Sequence, residues 1–166
     1  MKFTGAIKSK IFAKDEIAEQ IRLWRGNGQK IVFTNGCFDI IHLGHVNYLA
    51  EAASLGDKLV IGLNTDNSVR KIKGENRPIN NEVSRSSILA SFFFVDGVVF
   101  FDEETPFNII STVQPDILAK GSDYKAEDIV GYDIVTARGG KVITINLTRG
   151  QSTSGLISKI VAAYSG

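Results

Sequence analysis

Five short apolar runs, at 31–35, 58–64, 97–101, 116–120 and 141–146, alternate with helical periodicity near 43–55, 82–95 and 105–114. A shorter helical stretch falls within 126–138, and a last helix is predicted from about 152 to 164. Strands that alternate with helices imply a parallel sheet, covered on both faces by right-handed crossovers. The pattern predicts an α/β fold with five parallel strands in a single domain. Residues 1–14 predict an irregular or extended arm. Asp15 is placed to cap a helix through Ile17, Ile21 and Trp24 that stops at Gly26-Asn27-Gly28. Arm and helix would fill 1–29, and the α/β core 30–166. No repeat or low-complexity tract divides the chain.

Composition narrows the class. At 166 residues one domain suffices, and a domain of this size buries roughly 70% of its unfolded surface. A net charge of +1 argues against wholesale nucleic-acid binding, so any anion site must be local. The single cysteine excludes an internal disulfide and fits a reducing compartment. No stretch reaches the ~18 apolar residues of a membrane span, and the N-terminus lacks a signal-peptide core. A cytoplasmic location is expected.

Ligands of such sheets bind outside the carboxyl ends of the strands, where the strand order reverses. The polar residues collect there: 36–45 after the first run, 64–66 after the second, 120–123 after the fourth and 150–154 after the fifth. Gly36-Cys37-Phe38-Asp39-Ile40-Ile41-His42-Leu43-Gly44-His45 joins a strand to a helix through a glycine turn. A helix N-terminus presents unpaired N–H groups and partial positive charge, which suit phosphate. His42 and His45, three residues apart, share one helix face and can aim Nε2–H donors at one polyphosphate. An isolated pair of this kind is more often a cap and a packing residue. The Gly, Phe and Asp in register after a strand are what favour a ligand site.

Gly-x-Phe-Asp-x-x-His-x-Gly-His resembles the signature of the nucleotidyltransferase superfamily, the cytidylyltransferase-like enzymes with a Rossmann-like fold. The helix at 15–25, Thr34-Asn35-Gly36, Asn76-Arg77-Pro78-Ile79 and Lys120-Gly121-Ser122-Asp123-Tyr124 resemble its heptose 1-phosphate adenylyltransferase branch, the nucleotidyl-transfer half of ADP-heptose synthase. No sugar-kinase half is seen, so the acceptor is expected to arrive already phosphorylated. Arg149-Gly150-Gln151-Ser152-Thr153-Ser154 resembles the family's terminal Gly-x-Ser-Thr-Thr element, with Ser154 at the last Thr. The cytidylyltransferase branch carries an Arg three residues before that Gly, where this chain has Leu147, with Arg149 close by.

The resemblance implies a set of roles. His42, His45 and Lys73 would be catalytic. Nucleotide contacts would come from these three with Cys37, Phe38, Gly150, Gln151, Ser152, Thr153 and Ser154. Acceptor contacts would come from Asp39, Lys71, Arg77, Arg85, Lys120 and Asp123. Lys71 and Lys73 are two residues apart on what reads as a loop, so both ammonium groups are expected to point one way. By the match to glycerol-phosphate cytidylyltransferases, Lys71 would face the acceptor phosphate and Lys73 the nucleotide. Arg85 could instead decorate its helix. Cys37 could have a lowered pKa at the helix start, but reads as a packing residue. Asp66 and Asp123 are not identified as metal ligands, and Mg²⁺ would ride on the ATP phosphates.

The expected reaction is attack by a sugar 1-phosphate oxygen on the α-phosphorus of ATP, with release of pyrophosphate. Alternatives are a cytidylyltransferase acting on glycerol 3-phosphate or an amino-alcohol phosphate, and a non-catalytic nucleotide sensor. Phe92-Phe93-Phe94 and Trp24 suggest an apolar surface covered in a homodimer. Small-molecule substrates, no nucleic acid and no membrane complete the expected partners.

Overall fold

The computed structural model describes residues 2–123, 125–148 and 150–165. In chain order the elements are α1 (Lys2–Lys8), β1 (Ile11–Phe12), α2 (Lys14–Gly26), β2 (Ile31–Gly36), α3 (Leu43–Ala53), β3 (Lys58–Asn64), α4 (Asp66–Lys73) and α5 (Glu82–Ser91). Then follow β4 (Gly97–Phe101), α6 (Phe107–Val113), β5 (Ile117–Gly121), a 3₁₀ turn (Ala126–Asp128), α7 (Tyr132–Thr136), β6 (Lys141–Ile145) and α8 (Thr153–Tyr164). All strands are parallel, in the order β1-β4-β3-β2-β5-β6. Strand alternation explains the two cores. Val32, Leu59 and Ile61 face Leu49, Ala52 and Leu89 on one side. Ile31, Phe33 and Val60 face Ile17, Ile21, Ile109 and Ile110 on the other.

The five predicted strands are present, and a sixth, two-residue strand pairs Ile11 with Val98 and Phe12 with Val99 at the sheet edge. The expected irregular arm is therefore a short helix and that edge strand. Asp15 is not the cap of α2. The cap position is Ala13, whose N–H donates to the Glu16 carboxylate at 2.8 Å. The helix expected over 82–95 ends at Ser91, and Phe92 leaves it extended.

Helix α4 is the largest departure, because the segment after β3 read as a loop. Thr65 caps it, its hydroxyl accepting from the Ser68 N–H at 3.1 Å. Val69 packs inward with no exposed surface while charged residues cover the rest. The Thr65-x-x-Ser68 start and the i, i+3 spacing of Val69 and Ile72 were the available signals, carried by a helix of only eight residues.

Order reverses at β2. The chain steps from β2 to β3 and β4 on one side, then returns to place β5 and β6 on the other. The crevice between the ends of β2 and β5 is therefore the topological binding site of this sheet. Helix α8 contributes no buried residue, and Ile160 and Val161 are each 55% exposed. Its role at the site lies in its first turn.

Candidate active site

The crevice is opened by a side chain. β2 and β3 pair at six positions from Ile31 to Gly36, but β2 and β5 pair only at Val32–Ile117 and Phe33–Leu118. Beyond those positions the buried Tyr48 hydroxyl of α3 bridges the strands, 2.7 Å from Thr34 Oγ1 and 3.0 Å from the Ala119 carbonyl. Burial lifts the Tyr48 pKa to about 12, with Thr34 opposing and the charge of Asp123 assisting. A second bridge follows, where the Lys120 ammonium donates to Asn35 Oδ1. Above them lies a cavity of about 560 Å³, within the usual size of a small-ligand site.

One wall is the turn after β2. Phe38 adopts a left-handed φ of +44°, unusual outside glycine and found where structure is over-determined. Its ring packs against Gly36, where a Cβ would stand 3.0 Å from it, and edge-on to His45 at 5.3 Å between centroids. The turn is fastened by Asp39, only 2% exposed. Its carboxylate accepts from Arg77 Nε at 2.6 Å, the Ile79 N–H at 2.9 Å and the Asn80 N–H at 2.8 Å. Burial alone would raise the Asp39 pKa. The N–H groups of Asn80 and Ile79 and the Arg77 guanidinium outweigh it and hold the carboxyl below its ordinary range.

His42 occupies the N-cap position of α3, yet its side chain makes no capping bond. Its ring stacks on that of His45, with centroids 3.8 Å apart. The Nδ1 atoms of both are buried without a hydrogen-bond partner among the described residues. Burial lowers the pKa of His42. It also lowers that of His45, to about 4, helped by the charge of His42, while the Ile40 backbone works against both without a well-formed hydrogen bond. Both imidazoles are therefore neutral near pH 7. The glycine between them matters: a Cβ at Gly44 would lie 3.0 Å from the His42 ring and from Gln151 Cβ.

The facing wall is the start of α8. Ser152 caps it, accepting from the Gly155 N–H at 3.0 Å, and Gly150 takes a left-handed φ of +74°. Thr153 Oγ1 reaches the Ile40 carbonyl at 3.4 Å, and Asn47 Nδ2 reaches Thr148 Oγ1 at 3.3 Å. These contacts tie α8 to the histidine turn, so two helix N-termini converge on one cavity. Cys37, Phe38, Asp39, His42, His45, Lys73, Arg77, Lys120, Asp123, Gln151, Ser152, Thr153 and Ser154 all line it. Arg149 and Tyr124 lie outside the described residues.

Several assignments need correction. Lys71 and Lys73 do not point one way: on a helix, residues two apart project to opposite sides. Lys73 lines the cavity, whereas the Lys71 ammonium lies 3.6 Å from the Asp102 carboxylate on the outer surface. Arg85 is fully buried. It donates to the Asn80 carbonyl at 3.0 Å, the Cys37 carbonyl at 2.6 Å and the Asp66 carboxylate at 2.7 Å. Each of its three guanidinium nitrogens makes a bond and the side chain has no exposed surface, so it holds the site's loops together and presents nothing to an acceptor. Asp39 likewise directs its oxygens at the 77–80 loop. The Cys37 pKa is raised, not lowered, chiefly by burial and against the nearby charge of Lys73 and Arg85.

Lys120 stands apart from the other cations. Burial lowers its pKa to about 8, partly offset by Asp123. A Cβ at Gly121 would come within 2.7 Å of Asp123 Oδ1, so the glycine lets that carboxylate fold over the strand end. Tyr48 and Glu104 also shape or line the cavity and were not singled out in the sequence, while Asn35 and Asn64, noted there as strand-end residues, line it as well. Tyr48 sits on the core face of α3, where an aromatic reads as packing. Among the described residues no group of three or more His, Cys, Asp or Glu is arranged to hold a metal ion.

Residues 33–159 match the cytidylyltransferase-like family model. The bifunctional protein HldE of Citrifermentans bemidjiense is 53% identical over 156 residues, which are 94% of this chain and 32% of that protein. HldE of Campylobacter jejuni is 52% identical over 153 residues, 92% of this chain and 32% of its own length. The chain thus spans about a third of these curated relatives. A crystal structure described as the lipopolysaccharide core biosynthesis protein of Thermoplasma volcanium aligns with a TM-score of 0.59 at 31% identity, covering 75% of this chain and 100% of that one. The histidine turn, the reversed strand order and these likenesses agree: the chain belongs to the cytidylyltransferase-like family of nucleotidyltransferases.

Proposed function

We propose that this chain transfers AMP from ATP to a sugar 1-phosphate, with heptose 1-phosphate as the acceptor. The carrying observation is the convergence of two helix N-termini and two uncharged histidines on one cavity. The adenylyl reading draws on the 53% and 52% identity to bifunctional HldE proteins. An oxygen of the acceptor phosphate attacks the α-phosphorus in line. The bond from that phosphorus to the α,β-bridging oxygen breaks, and pyrophosphate leaves. No covalent enzyme intermediate is required.

The residues contribute position and charge stabilisation. His42 and His45, as neutral donors, hydrogen-bond the phosphate oxygens on which charge grows. Lys73 neutralises the triphosphate, and the α8 N-terminus with Ser152 and Ser154 anchors it. Arg77, 17% exposed at its side chain and already paired with Asp39, offers its remaining N–H groups to the acceptor phosphate beside Lys120. This reading withdraws Lys71 and Arg85 from the acceptor site. Magnesium arrives on the ATP phosphates as part of the substrate.

A cytoplasmic location follows from the substrates, and no described helix is long and apolar enough to cross a membrane. A homodimer is part of the reading through Phe93, 91% exposed. Trp24 does not support it, being covered by Phe12 and by the Lys58 ammonium 5.6 Å from its ring. The decisive assay follows pyrophosphate release with ATP, CTP, GTP and UTP against heptose 1-phosphate, other sugar 1-phosphates and glycerol 3-phosphate. ATP with heptose 1-phosphate should give the highest kcat/KM. CTP with glycerol 3-phosphate in first place would replace this reading with the cytidylyl one, and no release with any pair would remove catalysis.

A further inference from the structure

A second, smaller cavity of about 210 Å³ adjoins the first, and the two share Glu104 and Lys120. Its lining combines two chemistries. Glu104 and Asp128 supply carboxylates, while Pro106, Ile129 and Val130 supply an apolar wall. Three acids follow β4 in succession, and two of them are engaged. Asp102 accepts from Asn67 Nδ2 at 3.0 Å, and Glu103 accepts from Asn108 Nδ2 at 2.9 Å. Glu104 instead borders both cavities. Asp128 reaches the other side of the smaller one from the 3₁₀ turn after β5.

An ionised carboxylate has only acceptor sites and takes hydroxyl donors in pairs. An apolar wall beside it suits the C–H face of a sugar ring, which presents hydroxyls at its edge. Two such carboxylates repel a bare phosphate, so the smaller cavity suits a neutral polyhydroxyl group better than a second phosphate. At roughly 30 Å³ per displaced water, about 210 Å³ is room for about seven waters, comparable to one sugar ring. Lys120, which lines both cavities and whose ammonium donates to Asn35 Oδ1, is the group that would keep an attached phosphate on the side of the histidines.

We propose that this smaller cavity binds the polyhydroxyl body of the acceptor, between Glu104 and Asp128 and against Val130, with the acceptor phosphate left beside Lys120 in the larger cavity. The inference rests on the nucleotidyl-transfer reading above and adds to it the part of the site that selects a sugar.

The test compares equilibrium binding of heptose 1-phosphate with that of inorganic phosphate and of ATP, since only the first carries a sugar body. Glu104→Gln and Asp128→Asn each remove a charged acceptor from an exposed position. Each should weaken heptose 1-phosphate about tenfold without weakening inorganic phosphate or ATP, and Asp128→Asn, whose residue lines only the smaller cavity, should leave those two within about twofold. Val130→Trp fills the cavity without touching any charge, and should produce the same split. Unchanged heptose 1-phosphate binding in all three variants would overturn the proposal, as would wild-type protein that binds it no more tightly than inorganic phosphate. Pyrophosphate release, measured separately on the wild type, reports whether the transfer reading stands. Turnover with heptose 1-phosphate that none of the three variants impairs would leave transfer intact and sink the sugar cavity alone.

Discussion

β2 and β3 end side by side, and the segments that follow them use polar atoms in opposite ways. After β2, His42 and His45 are uncharged near neutral pH, and their buried Nδ1 atoms have no partner among the described residues. After β3, Lys71, Arg77 and Arg85 are all charged and all paired, with Asp102, Asp39 and Asp66. A buried polar group left unsatisfied by its own protein costs stability and signals a ligand, whereas a satisfied cation is part of the scaffold. Availability, more than charge, separates the two sets. Lys73 is the exception in the second segment, because it faces the cavity.

Arg85→Ala tests the scaffold side and should have the largest effect. It removes three bonds made by a fully buried guanidinium and leaves Asp66, 23% exposed at its side chain, without its cation. A fully buried pair losing one partner costs about 3–5 kcal/mol, and water at Asp66 brings the loss toward the lower figure. Urea denaturation should show the lowered midpoint. Arg85→Lys should recover only part, because one ammonium cannot span three acceptors held in a fork. A stable Arg85→Ala protein with weakened acceptor binding would reverse the comparison and return Arg85 to the site.

His45→Ala probes the opposite side. Removing one preorganised donor to developing charge should lower kcat by roughly 10²- to 10³-fold. Its unfolding midpoint should stay close to wild type, since the ring's Nδ1 makes no bond to lose. A kcat within threefold of wild type would take His45 out of the mechanism. Lys73→Ala comes next: a charge-assisted bond to the triphosphate is worth about 1.5–3 kcal/mol, or roughly 10- to 150-fold in KM for ATP. Equal shifts in both substrates' KM values would mean that Lys73 serves the acceptor as well.

A smaller effect links charge to availability. The His45 pKa is about 4 in the empty protein, depressed mainly by burial. A bound polyphosphate stabilises the imidazolium and raises that value, so binding takes up protons at pH values between the two. Affinity for ATP should therefore rise as pH falls from 7 toward 5, by less than tenfold per pH unit. Calorimetry in two buffers of different ionisation enthalpy measures the uptake, and subtracting His45→Gln removes the nucleotide's own titration. Equal uptake in both proteins would place His45 away from the phosphates.

How much of this was legible in the sequence follows the same division. The strand–helix alternation and the Gly36-to-His45 spacing carried over because backbone geometry ties them together: a strand end, a turn and the first helical turn leave the two imidazoles one placement. Gly44 belongs to that constraint, through its contact with His42 and Gln151. The cations after β3 had no such tether. Their positions depend on whether 66–73 is a helix and on which carboxylates come from distant segments, and Asp39 and Asp66 find Arg77 and Arg85 only in three dimensions. Tyr48 escaped notice for a related reason, since its hydroxyl acts between β2 and β5, which meet only after the sheet has formed.

Lys71→Ala should do least, and for that reason it sharpens the contrast most. Two residues from Lys73, it carries the same charge and the same chain length, and in an extended loop the two would share a face. On α4 they diverge, and Lys71 meets the exposed Asp102 carboxylate at 3.6 Å, its own side chain 47% exposed. An ion pair open to water gains little from Coulomb attraction, and salt screens what there is. Removing it should change kcat and both KM values by less than about twofold, where Lys73→Ala raises KM for ATP at least tenfold. Steady-state kinetics with both substrates varied resolves the difference in one experiment. An acceptor KM raised tenfold by Lys71→Ala would require the end of α4 to unwind on binding, turning Lys71 away from Asp102 and into the crevice. The helix would then be a feature of the empty site alone, and the segment after β3 would be a second source of available donors.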